Sequence, residues 1–277
     1  MLLRWLGVFL TLFSPSNFSV CSPLFILQTY FGKPIQPWRE IEEFKYMDWM
    51  GWHEQGDGNW FLGINVEQGR VKNANGVNVK KALRRVVDEL DLTMILSPTQ
   101  SIIFQDIAPE KKARLDAILA EEGIKPIADV DPLVRMSMAC PSLPLCGLAV
   151  AEAERRMPEF VGNFRALLNK LGLEKEEVML RMTGCPNGCA RPYMSEVALV
   201  GDGPDAYQVW LGGSPRLTRV SHTYKDRVKW ATMDATLEPL LVYWRDTRQS
   251  PTEAFGDFCH RIGVKGLADY AETYTPK

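Results

Sequence analysis

Cysteine and histidine are scarce in this chain: six and three of its 277 residues, respectively. Six cysteines are too few to staple a disulfide scaffold. There is no surplus of either charge, with 32 Lys and Arg against 34 Asp and Glu and a formal net charge of −2. A dedicated nucleic-acid binder needs a basic surplus to neutralise phosphates, so that partner class is not expected. The apolar run Trp5–Phe13 falls well short of the about 20 residues that a membrane-spanning helix requires, and no membrane partner is expected. The sequence shows no short-period repeat, no low-complexity tract, and no flavin or nicotinamide motif. What remains is a globular composition, 46% hydrophobic and 24% charged, long enough to bury a core in one or two domains.

Residues 1–29 differ in character from the rest. A basic start, the apolar run Trp5–Phe13 and small polar residues after it have the form of a signal peptide. The second apolar stretch, Pro23–Leu27, does not continue that pattern. A misassigned start is the other reading, and this atypical segment stands outside the fold argument.

Farther along, Gly56-Asp-Gly58 reads as a turn and Trp60–Val66 as a strand. Apolar residues at 79, 82, 83, 86, 87 and 90 predict a helix over 78–90 with Asn78 as its cap. Strands are expected at 92–96 and 101–104, and a charged amphipathic helix at 109–122, stopped by Gly123. That order suggests a ferredoxin-like half-domain over 30–125. After the stretch Pro126–Pro132, a mixed α/β domain is expected over 126–277. Its predicted helices are 148–156, 159–171, 234–248 and 251–262, and its predicted strands 178–182, 196–200 and 207–211. The fold class is α+β.

The cysteines hold the chemical signal. Cys140 and Cys146 are separated by five residues, Cys185 and Cys189 by three, and 38 residues lie between the pairs. Four thiolates on two loops ligate either zinc or an iron–sulfur cluster. The five-residue spacing is awkward for a zinc knuckle, whereas a cubane cluster offers separated iron corners. Three prolines and a glycine within the loops suit rigid ligand loops whose backbone N–H groups face sulfur. On spacing alone, cluster, zinc and unliganded core cysteines all stay open.

The residues around the cysteines say more. Met138-Ala-Cys-Pro-Ser-Leu-Pro-Leu-Cys146, Ala151-Glu-Ala-Glu-Arg155 and Thr183-Gly-Cys-Pro-Asn-Gly-Cys-Ala-Arg-Pro-Tyr193 resemble the sulfite and nitrite reductase hemoprotein family. Gly51–Gly58, Val200–Pro204, Trp210–Gly213 and Phe255–Phe258 look like its ferredoxin-dependent sulfite reductases. The resemblance runs from about Tyr30 to near the C-terminus. It implies a [4Fe–4S] cluster on Cys140, Cys146, Cys185 and Cys189, with Cys189 also the axial thiolate of siroheme. It implies six-electron reduction of sulfite to sulfide, with ferredoxin as donor, in a cytoplasm or plastid stroma. Complete members carry a first half related to the second, which brings the basic side chains that grip sulfite. This sequence resembles the C-terminal half, so a separate N-terminal half is an expected partner. Ferredoxin–nitrite reductase and a noncatalytic cofactor-binding or electron-transfer piece are the alternatives.

Further cofactor contacts are carried by the resemblance or by chemistry. Thr99-Gln-Ser101 occupies the position of a segment that faces siroheme, which puts Gln100 and Ser101 forward against the plain reading of a turn. Asn187 and Arg191 flank Cys189, and Arg191 has the forked donors that suit a carboxylate. Arg216 and Arg219 follow Gly212-Gly213 and read as a solvated loop. His53 reads as structural and Cys259 as a buried small apolar residue. His222 and His260 have no partner pattern.

Overall fold

The computed structural model describes residues 29–32 and 46–275, so the signal-like reading of residues 1–28 lies outside the described residues. The chain divides into two units, 1–44 and 45–277, and the second contains everything that follows.

Its first part is a four-stranded antiparallel sheet. The strands are β1 (Gly51–Glu54), β2 (Trp60–Ile64), β5 (Thr93–Leu96) and β6 (Ile102–Ile107), in the order β1-β2-β6-β5. The turn over Gly56-Asp-Gly58 joins β1 to β2, with φ 89° and 92° at the two glycines. Two-residue strands β3 (Asn73–Ala74) and β4 (Val77–Asn78) form a small hairpin of their own. Alternation splits the main sheet into two faces. Leu62, Ile64, Ile102 and Phe104 point inward and are buried with Ala82 and Val86 of helix α1 (Val79–Leu90) and Leu115 and Ile118 of α2 (Lys112–Glu121). Phe61 and Ile103 on the other face are half-buried, and Ile95 and Trp49 are exposed beside them. Asn78 precedes α1 as expected, yet its side chain does not cap the helix. Its amide donates to Glu122 Oε2 at 3.3 Å instead.

A second core begins at Leu133. It lies under a five-stranded sheet of order β11-β10-β9-β8-β7. The strands are β7 (Met138–Ala139), β8 (Leu180–Thr183), β9 (Val197–Gly203), β10 (Ala206–Leu211) and β11 (His222–Lys229). β7, β8 and β9 run parallel, and β10 and β11 complete an antiparallel meander. Short α3 (Pro132–Met136), α4 (Met157–Lys170), α5 (Met233–Thr247) and α6 (Phe255–Thr273) supply the helical layer. Phe160, Phe164, Leu237, Leu240, Trp244, Phe255 and Phe258 fill it. α6 breaks at Gly263 (φ 75°), next to the end expected at 262, and then continues to Thr273.

Two differences from the sequence reading have physical causes. Residues 148–156 form no helix. The N–H groups of Val150 and Ala151 donate to Gly184 O (2.8 and 3.2 Å), and that of Glu154 donates to Cys140 O (3.1 Å). The backbone bonds that a helix would need are spent on the cysteine loops. β11 escaped notice because it is an edge strand, mostly exposed and rich in Lys, Arg and Asp.

Glu196 ties the sheet to α6. Fully buried at the start of β9, its carboxylate accepts from Met179 N (2.9 Å) and Gly256 N (3.0 Å). Burial pushes its pKa up to about 7, against the pull of those two N–H groups. From its ordinary 4.5 up to about 7, the folded chain holds a proton that the unfolded chain has released, so stability falls as pH rises. Over that window the wild-type protein is expected to lose about 3 kcal/mol relative to Glu196→Gln. Urea unfolding of both proteins across the window checks this; parallel pH curves would refute it.

Candidate functional site

The site is built where two parallel strands end. β7 leads into Cys140, and β8 leads through Gly184 into Cys185. Met138 pairs with Arg181, and Ala139 with Met182. Cys140 N then donates to Met182 O at 3.2 Å, so the ladder carries into the loop. Parallel neighbours need a crossover, and α4 lies within this one. That topology brings together two cysteine pairs far apart in sequence, and it places both loops at the carboxyl ends of their strands.

The loops then bind one another. Gly184 N donates to Cys140 Sγ at 3.3 Å. Gly184 O receives the N–H groups of Val150 and Ala151. Ser142, buried and at φ 52°, donates its hydroxyl to Ala151 O, and Cys146 N donates to Ser142 O at 2.8 Å. In the second loop Arg191 N donates to Gly188 O at 2.8 Å, and Tyr193 OH to Pro186 O at 2.7 Å.

Cys140 and Cys185 are buried, Cys146 is half-buried and Cys189 is exposed. Burial raises the Cys140 thiol, Gly184 N–H lowers it, and neighbouring Cys189 and Cys185 raise it further. These four thiols are the soft ligands on hand. Among the described residues, no three His, Cys, Asp or Glu side chains form a group able to hold a single metal ion. Leu145 and Leu148, each 67% exposed, rim the first loop, and Pro186 and Asn187 stand exposed on the second.

The segment holding Gln100 and Ser101 reaches this region. Gln100, at φ 63°, uses both ends of its amide on one residue: Nε2 donates to Ala139 O (2.7 Å), and Oε1 accepts from Ala139 N (3.2 Å). It extends the edge of β7 as a further strand would, immediately before Cys140. Ser101 is buried; its N–H donates to Ser97 Oγ (3.1 Å) and its carbonyl accepts from Ser97 N (2.9 Å). Both residues line a cleft of about 390 Å³ with Gln68, Arg70, Pro141 and Leu145. Arg191, at φ 52°, donates to Pro98 O at 2.7 Å and to Met138 Sδ at 3.4 Å, so it fastens the same segment to the cysteine region.

Other residues have structural roles. His53 stacks on Phe61 (centroids 4.9 Å apart), and its Nε2 lies 3.0 Å from Met50 O. Arg219 holds Gly212 O (2.9 Å) and Asp257 (2.6 Å). His222 and His260 stack on one another at 6.2 Å. Cys259 is buried in α6, and that burial raises its thiol well above the usual range.

Sequence reasoning passed over Arg181 and Thr183. Both are 1% exposed on β8, and Arg181 Nε and Thr183 Oγ1 have no hydrogen-bond partner. Burial and the nearby charge of Arg191 push the Arg181 pKa down to about 10. The signal was an arginine inside the apolar run Val178–Met182.

Known proteins share this architecture. The profile of the nitrite/sulfite reductase ferredoxin-like half domain matches residues 53–122. Over 248 residues the chain is 44% identical to the sulfite reductase [ferredoxin] of Synechococcus elongatus, covering 90% of this chain and 40% of that protein. It is 38% identical over 237 residues to the sulfite reductase [NADPH] hemoprotein beta-component of Myxococcus xanthus, covering 86% and 42%. The counterpart from Xylella fastidiosa is 36% identical over 249 residues, covering 88% and 43%. The chain thus spans about two-fifths of the length of these relatives. Among solved structures, the Mycobacterium tuberculosis NirA protein has the same fold, with TM-score 0.67, 20% identity, and 91% of this chain and 47% of that one covered.

Proposed function

The chain belongs to the sulfite and nitrite reductase hemoprotein family, and from that premise we propose that it is the cofactor-bearing part of a ferredoxin-type sulfite reductase. Cys140, Cys146, Cys185 and Cys189 would hold a [4Fe–4S] cluster, with Cys189 shared with siroheme. The observation that carries this reading is the joining of the two cysteine loops at the ends of β7 and β8 through the Gly184–Cys140 bond. Exposure of Cys189 alone among the four supports its outward, shared role.

The residues present fit such a group. Gly184 leaves no room for a side chain between Ser142 and Ala151, so its N–H reaches Cys140 sulfur. Arg181 Nε and Thr183 Oγ1 are buried donors in want of an acceptor. Once bound, the coupled cluster and siroheme would supply single-electron delivery and an open iron face for the six-electron reduction of sulfite to sulfide. The chain's own residues hold the ligand loops: Gln100 braces Ala139 beside Cys140, Arg191 ties the Pro98 segment to Met138, and Ser142 closes the first loop.

Ferredoxin is favoured as donor because identity to the ferredoxin-type relative, 44%, exceeds the 36% to 38% with the NADPH-type ones. The substrate-gripping basic residues would come from an N-terminal half. The half-exposed apolar sheet face of Phe61, Ile95 and Ile103 supports a partner of that kind. Among the described residues, no helix is long and apolar enough to cross a membrane.

The test is anaerobic purification from a host that makes siroheme, followed by absorption spectra, iron and acid-labile sulfide. About four irons per chain indicate a cluster alone and about five a cluster with siroheme. Siroheme bands that shift with sulfite are expected. Sulfite and nitrite are then assayed with reduced ferredoxin, with and without an N-terminal half; preference for nitrite would move the reading to nitrite reductase. Zinc without labile sulfide, or a folded protein without metal, would overturn it.

A further inference from the structure

Arg181 presents an electrostatic problem. Its side chain is 1% exposed in the middle of β8. Nη1 donates to Arg191 O at 2.9 Å, and Nε has no partner. Among the described residues, no carboxylate forms an ion pair with it. Its electrostatic neighbours are Arg191, whose charge repels it, and Tyr46, a phenol that burial keeps in its neutral form. A buried charge without a counter-charge is strongly disfavoured, and folded proteins pair such groups.

Its place in the fold indicates where the partner belongs. On one side it pairs across the sheet with Met138, two residues before Cys140. Its guanidinium grips the carbonyl two residues after Cys189. Along its own strand, Cys185 follows four residues later. The guanidinium is therefore flanked by the approaches to three of the four cysteines. Two residues toward Cys185, on the same face of β8, Thr183 adds a second buried donor without an acceptor. Arg181 Nε and Thr183 Oγ1 are thus two buried donors without acceptors on the strand that runs into Cys185.

We propose that Arg181 is the counter-charge of the thiolate-bound centre. It stabilises the anionic group that the four cysteines hold and raises that group's reduction potential. This rests on the cluster reading of the cysteines. An iron–sulfur group on four thiolates is an anion and gains a further negative charge on reduction. A fixed positive charge nearby favours the more negative state. The same residue burdens the iron-free chain, in which its charge stays uncompensated.

The test uses the full chain as wild type, Arg181→Met and Arg181→Lys, each iron-free and after anaerobic reconstitution. Midpoint potentials from redox titration followed by absorption and EPR require no enzymatic activity. In R181M the reduced-to-oxidised ratio at the wild-type midpoint is expected to fall on the order of tenfold, as for one nearby charge removed in a medium of effective dielectric about 20. R181K, which keeps the charge and loses the fork, is expected to stay near the wild-type potential. The iron-free R181M chain is expected to melt no lower than iron-free wild type, since an unpaired buried charge has gone. Should R181M not fold, Arg181→Gln carries the same comparison.

Equal potentials in all the variants, or equal shifts in R181M and R181K, would overturn the charge role while wild-type iron uptake keeps the cluster reading intact. An iron-free R181M that melts well below wild type would overturn it too, by making Arg181 an ordinary packing residue. A wild-type chain that takes up no iron and sulfide would fell the cluster reading, and this proposal with it.

Discussion

Cys140→Ser is expected to bring bound iron and acid-labile sulfide to background, whereas Cys259→Ser leaves both at the wild-type level. The two residues are alike in burial. Their surroundings differ. Cys140 Sγ accepts the Gly184 N–H and lies among the other thiols of the two joined loops. Cys259 sits in α6, nearest in charge to Glu196 and Arg219. Iron–sulfur clusters depend on soft thiolate ligands, and a serine hydroxyl is a hard, weakly acidic substitute. Metal and sulfide analysis of the two variants, purified side by side without oxygen, makes the comparison. Retention of wild-type iron in C140S would remove Cys140 from the ligand set, and equal loss in C259S would point to general instability.

Gly184→Ala is expected to destabilise the chain by about 3 kcal/mol, the upper end of the range for overpacking a tight site. The backbone angle there is ordinary, so the effect comes from space alone. An added methyl would overlap Ser142 Oγ and stand 2.7 Å from Ala151 O, and neither can withdraw. Ser142 is bonded to Ala151, and Ala151 N to Gly184 O. Behind Gly184, Gly201 also has no room for a Cβ, because one there would press on Gly184 O. Gly162→Ala is the contrasting variant. Gly162 is exposed within α4, with nothing within 4 Å of an added Cβ. There the alanine stabilises the helix by up to about 1 kcal/mol. Urea unfolding of both variants separates the cases by sign. A G184A protein as stable as wild type would mean that the cysteine loops move apart readily and are not locked together.

Most regular elements were legible because they follow a local period. Apolar spacing marked α1, α2, α4 and α5, with their ends displaced by a few residues. The turn signal of Gly201-Asp-Gly-Pro204 marked the β9–β10 hairpin, although its first three residues still belong to β9 and the chain turns at Pro204 and Asp205. The failures came where local and long-range bonding compete. Residues 148–156 have a composition that a helix tolerates, yet their N–H groups find better-placed acceptors on Gly184 and Cys140. The helix was excluded by partners well beyond helical reach, Gly184 on the following strand end and Cys140 on the preceding one. β11 was missed for a different reason: an exposed edge strand has no apolar alternation to display.

The same division runs through the site. Which atoms can bind a soft metal, the spacing of the two cysteine pairs and the tightness of their Pro- and Gly-bearing loops are properties of the sequence, because ligand chemistry and loop stiffness are local. That Cys140 and Cys185 emerge side by side was decided by the parallel pairing of β7 with β8. Such pairing is a choice among long-range hydrogen-bond partners and leaves no local period. Tertiary structure also spent the Gln100 amide on Ala139 and Arg191 Nη2 on Pro98. It enclosed Arg181 on the strand that leads to Cys185 without a carboxylate partner. A charge costs little on a strand read as a string of letters; its cost appears only when the neighbouring layers have removed the water.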